Sequence, residues 1–396
     1  MSNIAKAYDV IIVGGGMVGA ACALAAAQQG LQTALLERQA PQNKRPDEKY
    51  SARVSAITRT SQYLLSEQLG TWPLLKRCTP YQDLRVWEHT GTHEIHFQSS
   101  DIGEPDLGHI VENHLLIAAL WHQMAEQNNL DIHLGNNIIG LAHHDTGSTL
   151  QLAEQPSLTA ALIIGADGAK SHLRTLAQIG LDSHEYPQSA LVTLVKTDIR
   201  QRPTAWQRFL SEGPLALLPV GRDHFAVVWS NTHTSTKQLQ NQPAETFQRA
   251  IQQASQGCAG KLQLAGERQS FPLRRQTAQT YIKPGIALVG DAAHVIHPLA
   301  GQGVNLGLLD VSVLIDTLVQ ARARREPLGR MGVLRRYERA RKGHNQLMQH
   351  SMDGFQYAFQ HPGLRLMRQL GFGLVSHSAT LRRQFERVAL HGSSLI

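Results

Sequence analysis

Hydrophobic and polar positions change rhythm several times along the chain, and the first change is the most informative. Tyr8-Asp-Val-Ile-Ile-Val13 is a short apolar run, Gly14-Gly-Gly-Met-Val-Gly19 interrupts it, and small apolar residues continue to Gln29, where Gly30 acts as a stop. A second apolar run, 31–36, ends in Glu37. Two strand-length runs around a helix of small residues predict a βαβ unit. Residues 41–50 are polar and rich in Pro and Lys, so they predict a loop, with a helix following over 61–69. Alternation on either side of Thr90-Gly91 predicts a hairpin over 83–97. A helix is expected over about 113–127, and 161–164 is a short buried strand leading into Gly165-Ala-Asp-Gly168.

From about 181 to 274 the pattern becomes strand-rich, with strands at 190–197, 215–218 and 225–230 and one helix near 245–256. This predicts an inserted antiparallel domain. A second glycine-rich switch at 287–305 then opens a long helix reaching about residue 323, and residues from 335 onward read as helical with a break at 361–363. The expected fold class is α/β: a doubly wound parallel sheet, an inserted antiparallel sheet and a C-terminal helical tail. No internal repeat or low-complexity tract is present.

Composition narrows the class without changing it. With 396 residues, 42% hydrophobic and 17% charged, the chain has the makeup of a soluble protein with a large core, which excludes disorder, collagen and small disulfide scaffolds. That length suits two domains or one domain with an insertion. Net charge is +7, and residues 331–396 carry all of it: ten basic residues (Arg335, Arg336, Arg339, Arg341, Lys342, Arg365, Arg368, Arg382, Arg383, Arg387) face three acidic ones (Glu338, Asp353, Glu386). Such a tail reads as a docking surface for anionic lipid or an acidic partner, less so for nucleic acid, or else as a solvated helical face. Cys22, Cys78 and Cys258 are far apart and form no C-x-x-C, so neither disulfides nor zinc are suggested and a reducing compartment is expected. There is no basic-then-apolar leader and no run of about 18 apolar residues, so the expectation is a cytoplasmic protein that touches a membrane without crossing it.

The candidate chemistry lies in three glycine sites. Gly14-x-Gly16-x-x-Gly19 follows a strand, opens a helix and has an acid, Glu37, eighteen residues beyond Gly19. In that context Gly14 permits a tight turn, Gly16 lets a pyrophosphate approach the backbone, Gly19 lets helix pack on strand, and Glu37 accepts from a ribose hydroxyl. The motif alone does not separate NAD from FAD. Gly165-Ala-Asp-Gly168 ends a strand, and Ser171 can cap the helix after it. In the third site Asp291 follows a buried strand at 286–289, and a loop delivers Gly301, Gln302 and Gly303 to a helix start. A simple dehydrogenase needs one phosphate cradle. Three in this order suit a long, extended cofactor.

The triple set resembles the single-component flavin aromatic hydroxylases of the para-hydroxybenzoate hydroxylase fold over nearly the whole chain. Arg53-Val-Ser-Ala-Ile57, Leu107-Gly-His-Ile-Val-Glu-Asn113, the unbroken 290–310 segment and Tyr337-Glu-Arg-Ala-Arg-Lys342 look most like the ubiquinone-biosynthesis hydroxylases, and within them like enzymes acting at C5 of a 2-polyprenylphenol. Sister enzymes acting at C1 or C6 share most of this wording. The resemblance implies an FAD-binding domain from 1–80, 98–180 and 275–330, a substrate-binding domain from 81–97 and 181–274, and a basic helical region over 331–396. It also implies that Gly14, Gly16 and Gly19 hold the FAD pyrophosphate and that Glu37 holds the adenosine ribose. Arg53 would meet the phosphates or bridge toward the flavin, the alternative being an ordinary surface charge. Asn113 would contact the cofactor, with a helix N-cap as its alternative. Asp167 joins the cofactor set, and Asp291 would bind the ribityl or pyrophosphate region. Pro298, Gly301, Gln302, Gly303 and Asn305 would position the pyrimidine end of the flavin, where a helix N-terminus stabilises the charge of the reduced ring.

The implied activity is ring hydroxylation of a polyprenylated phenol through a flavin C4a-hydroperoxide, with O₂ as co-substrate and NAD(P)H or a reductase partner as reductant. No catalytic side chain is identified beyond the flavin. A ubiquinone-biosynthesis complex and peripheral contact with the inner face of the membrane are the implied partners; no nucleic acid is expected. Rival readings are another flavin reaction, such as hydroxylation of a soluble aromatic, and a non-catalytic FAD-stabilised scaffold. His294 and His297 have the spacing of a ligand pair, but no third ligand is near and Pro298 interrupts the segment, so no metal is expected. Cys22, among small residues, reads as core.

Overall fold

The computed structural model describes residues 7–360 apart from 42–48, 76, 89–93, 136, 145–146, 200–202 and 297–302. The opening strand, Ala7–Val13, lies between Leu158–Gly165 and Thr33–Glu37, parallel to both. Leu130–Leu134 extends the sheet beyond Thr33–Glu37, and Ile286–Leu288 followed by Ile282–Lys283 extends it beyond Leu158–Gly165. Val13 stands opposite both Leu36 and Gly165, and Gly165 stands opposite Leu288. This register matters because all four chain segments leave the sheet at one carboxyl edge. The loops that begin at Gly14, Glu37, Ala166 and Val289 therefore converge there, as expected for ligand crevices in open parallel sheets.

Helix Met17–Gln28 packs on this sheet through Ala20, Ala21, Cys22, Ala23 and Leu24, all fully buried, so Cys22 is core. Its small side chains let two further helices, Asn113–Ala125 and Gly303–Ala323, approach it closely. A Cβ on Gly307 would stand 2.6 Å from Val18, so that glycine fixes how near Gly303–Ala323 comes to the first helix. Gly303–Ala323 is long and apolar enough to cross a bilayer by length and composition. Here Leu308, Val311, Leu314 and Leu318 are wholly enclosed in the core, so its apolarity serves packing.

The second sheet runs in the order His294–Val295, Gln269–Ala278, Leu181–Thr197, His224–Thr232, Pro214–Val220, Thr204–Phe209, Asp83–Glu88, Glu94–Gln98. It is antiparallel except where Thr204–Phe209 meets Asp83–Glu88. Strand alternation gives it two faces. Leu191, Leu217, Val227 and Trp229 pack with Phe247 and Ile251 of helix Ala244–Ala254. On the other face, Leu194, Val220 and Ala226 pack with Ile110 and with Val54 and Ala56.

Several expected boundaries move. The strand expected over 190–197 begins at Leu181, because Leu181-Asp-Ser-His-Glu185 is too polar to signal burial yet pairs with 274–278. Helix His233–Asn241 is almost wholly polar; its start is set by Thr232, which accepts from the Ser235 amide. The helix expected over 61–69 divides into Arg59–Tyr63 and a π-helical turn, Leu64–Gln68. The hairpin strands at 83–97 pair antiparallel, with their turn outside the described residues. The final helix, Met331–Gln360, starts before Arg335, and the expected break at 361–363 falls outside the described residues together with the tail arginines from Arg365 onward.

Candidate cofactor site

Gly14, Gly16, Glu37 and Asp167 line one cleft of about 580 Å³ at the carboxyl edge of the parallel sheet. Each glycine of the first motif does different work. Gly14 has φ +103, and a Cβ there would stand 2.5 Å from the Ala166 carbonyl. A Cβ on Gly19 would stand 1.9 Å from the Gly14 carbonyl, so Gly19 is needed for helix and turn to coexist. A Cβ on Gly16 would meet nothing within 4 Å. Packing therefore does not account for Gly16, whereas a diphosphate resting on its backbone would.

Glu37 accepts from the Gly15 amide at 2.5 Å and from the Arg38 amide at 2.7 Å. It thus braces the turn while facing the cleft; Oε1 also accepts from the Gln39 amide at 3.3 Å, and the remaining lone pair on Oε2 is available to a ribose hydroxyl. Trp121, which the sequence does not single out, donates its indole N–H to the Gly15 carbonyl at 2.9 Å and closes the turn from the other side.

Asp167 gives one carboxylate oxygen to the amides of His172 and Leu173 at 2.7 and 3.1 Å, while Ser171 accepts from Arg174, so both cap helix His172–Leu176. The other Asp167 oxygen is buried without a hydrogen-bond partner. A buried unpaired carboxylate oxygen beside a cleft is costly to the protein alone and is suited to a donor brought by a ligand. Arg174, also missed, is buried and donates to the Ala292 carbonyl at 2.8 Å and the Ala169 carbonyl at 3.0 Å, joining the second glycine site to the third.

The third site is built differently. Gly290 has φ +57 and begins a short turn through Ala292. Asp291 is exposed, yet burial of its surroundings pushes its carboxyl above the usual carboxylate range, opposed by His294 and Arg274. Beneath the turn, Asp310 is fully enclosed and accepts from the Gly290 amide at 3.0 Å, His294 Nε2 at 2.5 Å, Arg341 Nε at 2.8 Å and Asn345 Nδ2 at 3.1 Å. Burial drives its carboxyl up, but His294 and Arg341 overcome that and hold its pKa at about 2. The His294 ring is therefore taken up by this contact with Asp310. His297, Pro298, Gly301 and Gln302 lie outside the described residues, and Gly303 opens the long helix with open space where a Cβ would be.

Three residues expected at the cofactor make side-chain contacts within the protein. The Asn305 side chain accepts from the Thr58 amide at 3.1 Å and donates to the Ala56 carbonyl at 2.8 Å, clamping the long helix to strand Val54–Ile57. Asn113 is the first helical residue and Glu112 holds the N-cap place, which corrects the N-cap alternative; Asn113 Oδ1 accepts from Ser55 at 2.8 Å. The Arg53 guanidinium lies over the Phe271 ring at 5.0 Å, reaching the second sheet and lying outside the 580 Å³ cleft.

The residues present fit FAD: a glycine turn with unfilled space, an acid, Glu37, facing the same cleft, an unpaired carboxylate oxygen of Asp167 and a second, exposed acid, Asp291, on the Gly290 turn. Comparison with known proteins agrees. The FAD binding domain family matches residues 7–350. The 3-demethoxyubiquinol 3-hydroxylase of Escherichia coli is 39% identical over 96% of this chain and 98% of its own length. The ubiquinone hydroxylase UbiL of Rhodospirillum rubrum is 33% identical over 97% of this chain and 90% of its length. The mitochondrial ubiquinone biosynthesis monooxygenase COQ6 of Mus musculus is 32% identical over 97% and 91%. Among solved structures, p-nitrophenol 4-monooxygenase PnpA from Pseudomonas putida superposes with TM-score 0.77 at 16% identity, covering 98% of this chain and 99% of that one, which shows a shared fold.

Proposed function

This chain belongs to the FAD binding domain family and is an FAD-dependent aromatic-ring monooxygenase of the ubiquinone-biosynthesis type; from that premise we propose that it hydroxylates one carbon of a polyprenylated ring. Bound FAD supplies the activation of O₂, with NAD(P)H or a reductase partner as reductant. The chain supplies position. Gly14, Gly16 and Glu37 hold the adenosine and diphosphate end, while Asp291 and the start of helix Gly303–Ala323 hold the flavin end. Separate parallel and antiparallel sheets support a cofactor domain and a substrate domain (81–97 and 181–274), with strands Gln269–Ala278 and His294–Val295 carrying the antiparallel sheet past residue 274, and the ring would lie between the two. The observation that carries this reading is the unfilled space at Gly16 beside the buried, unpaired oxygen of Asp167.

Two ring positions compete. The motif resemblance points to C5 of 2-polyprenylphenol, whereas the printed name of the 39% identical E. coli relative points to a demethoxyubiquinol ring. Identity over nearly the full length of both chains favours the second. The test is the intermediate that accumulates when the gene is deleted: an unhydroxylated 2-polyprenylphenol supports the first, a demethoxyquinone the second. A wild-type quinone profile sinks both. A lipid-borne substrate further requires contact with the inner membrane face or with partner enzymes, a role suited to the basic residues beyond 360.

A further inference from the structure

We propose that Asp310 is a positioning residue for the cofactor, acting through Gly290 and His294 to fix the turn that carries Asp291. The turn is gripped on both sides of Asp291: the Gly290 amide and His294 Nε2 converge on one Asp310 oxygen. His294 also opens strand His294–Val295, which pairs with Gln276 and Thr277 of the second sheet. Gln349 supports that junction, donating to the carbonyls of Gln276 at 3.1 Å and Val295 at 3.2 Å. One carboxylate therefore sets the flavin-side acid against the long helix and against the sheet that faces the substrate.

The acid is required by its partners' chemistry. Gly290, His294, Arg341 and Asn345 each present a donor, two to each oxygen. An amide at 310 offers one accepting oxygen and one NH₂, so it must turn a donor toward two donors, on one side or the other. Repulsion there loosens either the Gly290–His294 turn or the hold of helix Met331–Gln360. A displacement of a few tenths of an ångström at Asp291 is enough to matter, because cofactor contacts depend steeply on distance.

This inference rests on the reading that Asp291 touches FAD, so the test separates the two. FAD affinity of the apoprotein is measured by flavin fluorescence quenching for wild type, Asp291→Ala, Asp310→Asn and the double variant, with the visible flavin spectrum recorded for each. Asp291→Ala and Asp310→Asn are each expected to weaken binding about tenfold, and the double variant by no more than about a further twofold, the non-additivity of residues acting through one contact. Asp310→Asn combined with Gly16→Ala, at the other end of the site, is expected to be additive. If Asp310→Asn unfolds the chain, His294→Ala replaces it in the same cycle. Wild-type affinity for Asp291→Ala overturns the Asp291 reading and the inference with it; weakened Asp291→Ala with full additivity in the cycle overturns the inference alone.

Discussion

The two ends of the proposed cofactor site are held by different means. At the adenosine end, Gly14, Gly16, Gly19 and Glu37 lie within one βαβ unit, and their work is done by backbone geometry and by space left open. At the flavin end, the Gly290–Ala292 turn is held by a buried carboxylate whose partners come from 290, 294, 341 and 345. Local geometry repeats with spacing and can be read from a string of letters. A buried ion network between distant segments cannot.

The largest effect should come where a glycine is purely structural. Gly19→Val places atoms where the Gly14 carbonyl stands 1.9 Å from a Cβ, so soluble, cooperatively melting protein is expected to be lost. Normal circular dichroism and melting for that variant would break the packing account of the first motif. Gly16→Val is its counterpart: the apoprotein should melt near the wild-type temperature, because a Cβ there touches nothing within 4 Å, while FAD binding disappears. Equilibrium dialysis finding FAD still bound would mean that the diphosphate does not rest at Gly16.

At the flavin end, Asp291→Ala is expected to cost about 1–3 kcal/mol of FAD affinity, the loss of a hydrogen bond to a charged group. Asp310 should instead appear in acid titration of stability. Its folded pKa, about 2, lies below the ordinary value of 3.8, so between about pH 4 and pH 2 the unfolded chain takes up the proton first. Its contribution, roughly 2 kcal/mol, is complete above about pH 5 and lost as pH falls through the folded pKa. Urea midpoints of wild type and Asp310→Asn should therefore converge toward pH 2; a constant gap across that range would count against the ion network. The smallest effect on either end should come from Arg365, Arg368, Arg382 and Arg383 changed to Gln. Flavin content should hold while sedimentation with anionic liposomes falls, and equal loss of FAD would make the tail part of the folding core.

How far the sequence reached follows the same division. The βαβ unit, the three glycine sites and the inserted strands were visible because apolar period and turn residues mark them locally. Helix His233–Asn241 was hidden by its polarity, and the extension of strand Leu181–Thr197 by exposed residues at its start. The Asn305 side chain clamps Thr58 and Ala56, a contact across nearly 250 positions that no local pattern announces. Trp121 and Arg174 were missed for the same reason: each looks like an ordinary helical residue until the fold sets it against Gly15 or Ala292.

The most direct test of the account is isotope incorporation. Purified protein reconstituted with FAD is given NAD(P)H or a reductase, ¹⁸O₂, and in parallel a short-chain 2-polyprenylphenol and a demethoxyubiquinol, and the products are analysed by mass spectrometry. The account predicts one ¹⁸O atom in the ring of one of these substrates, dependent on FAD and abolished by Gly16→Val. Reductant oxidised to yield only peroxide with both substrates, or ring oxygen drawn from water, would contradict it.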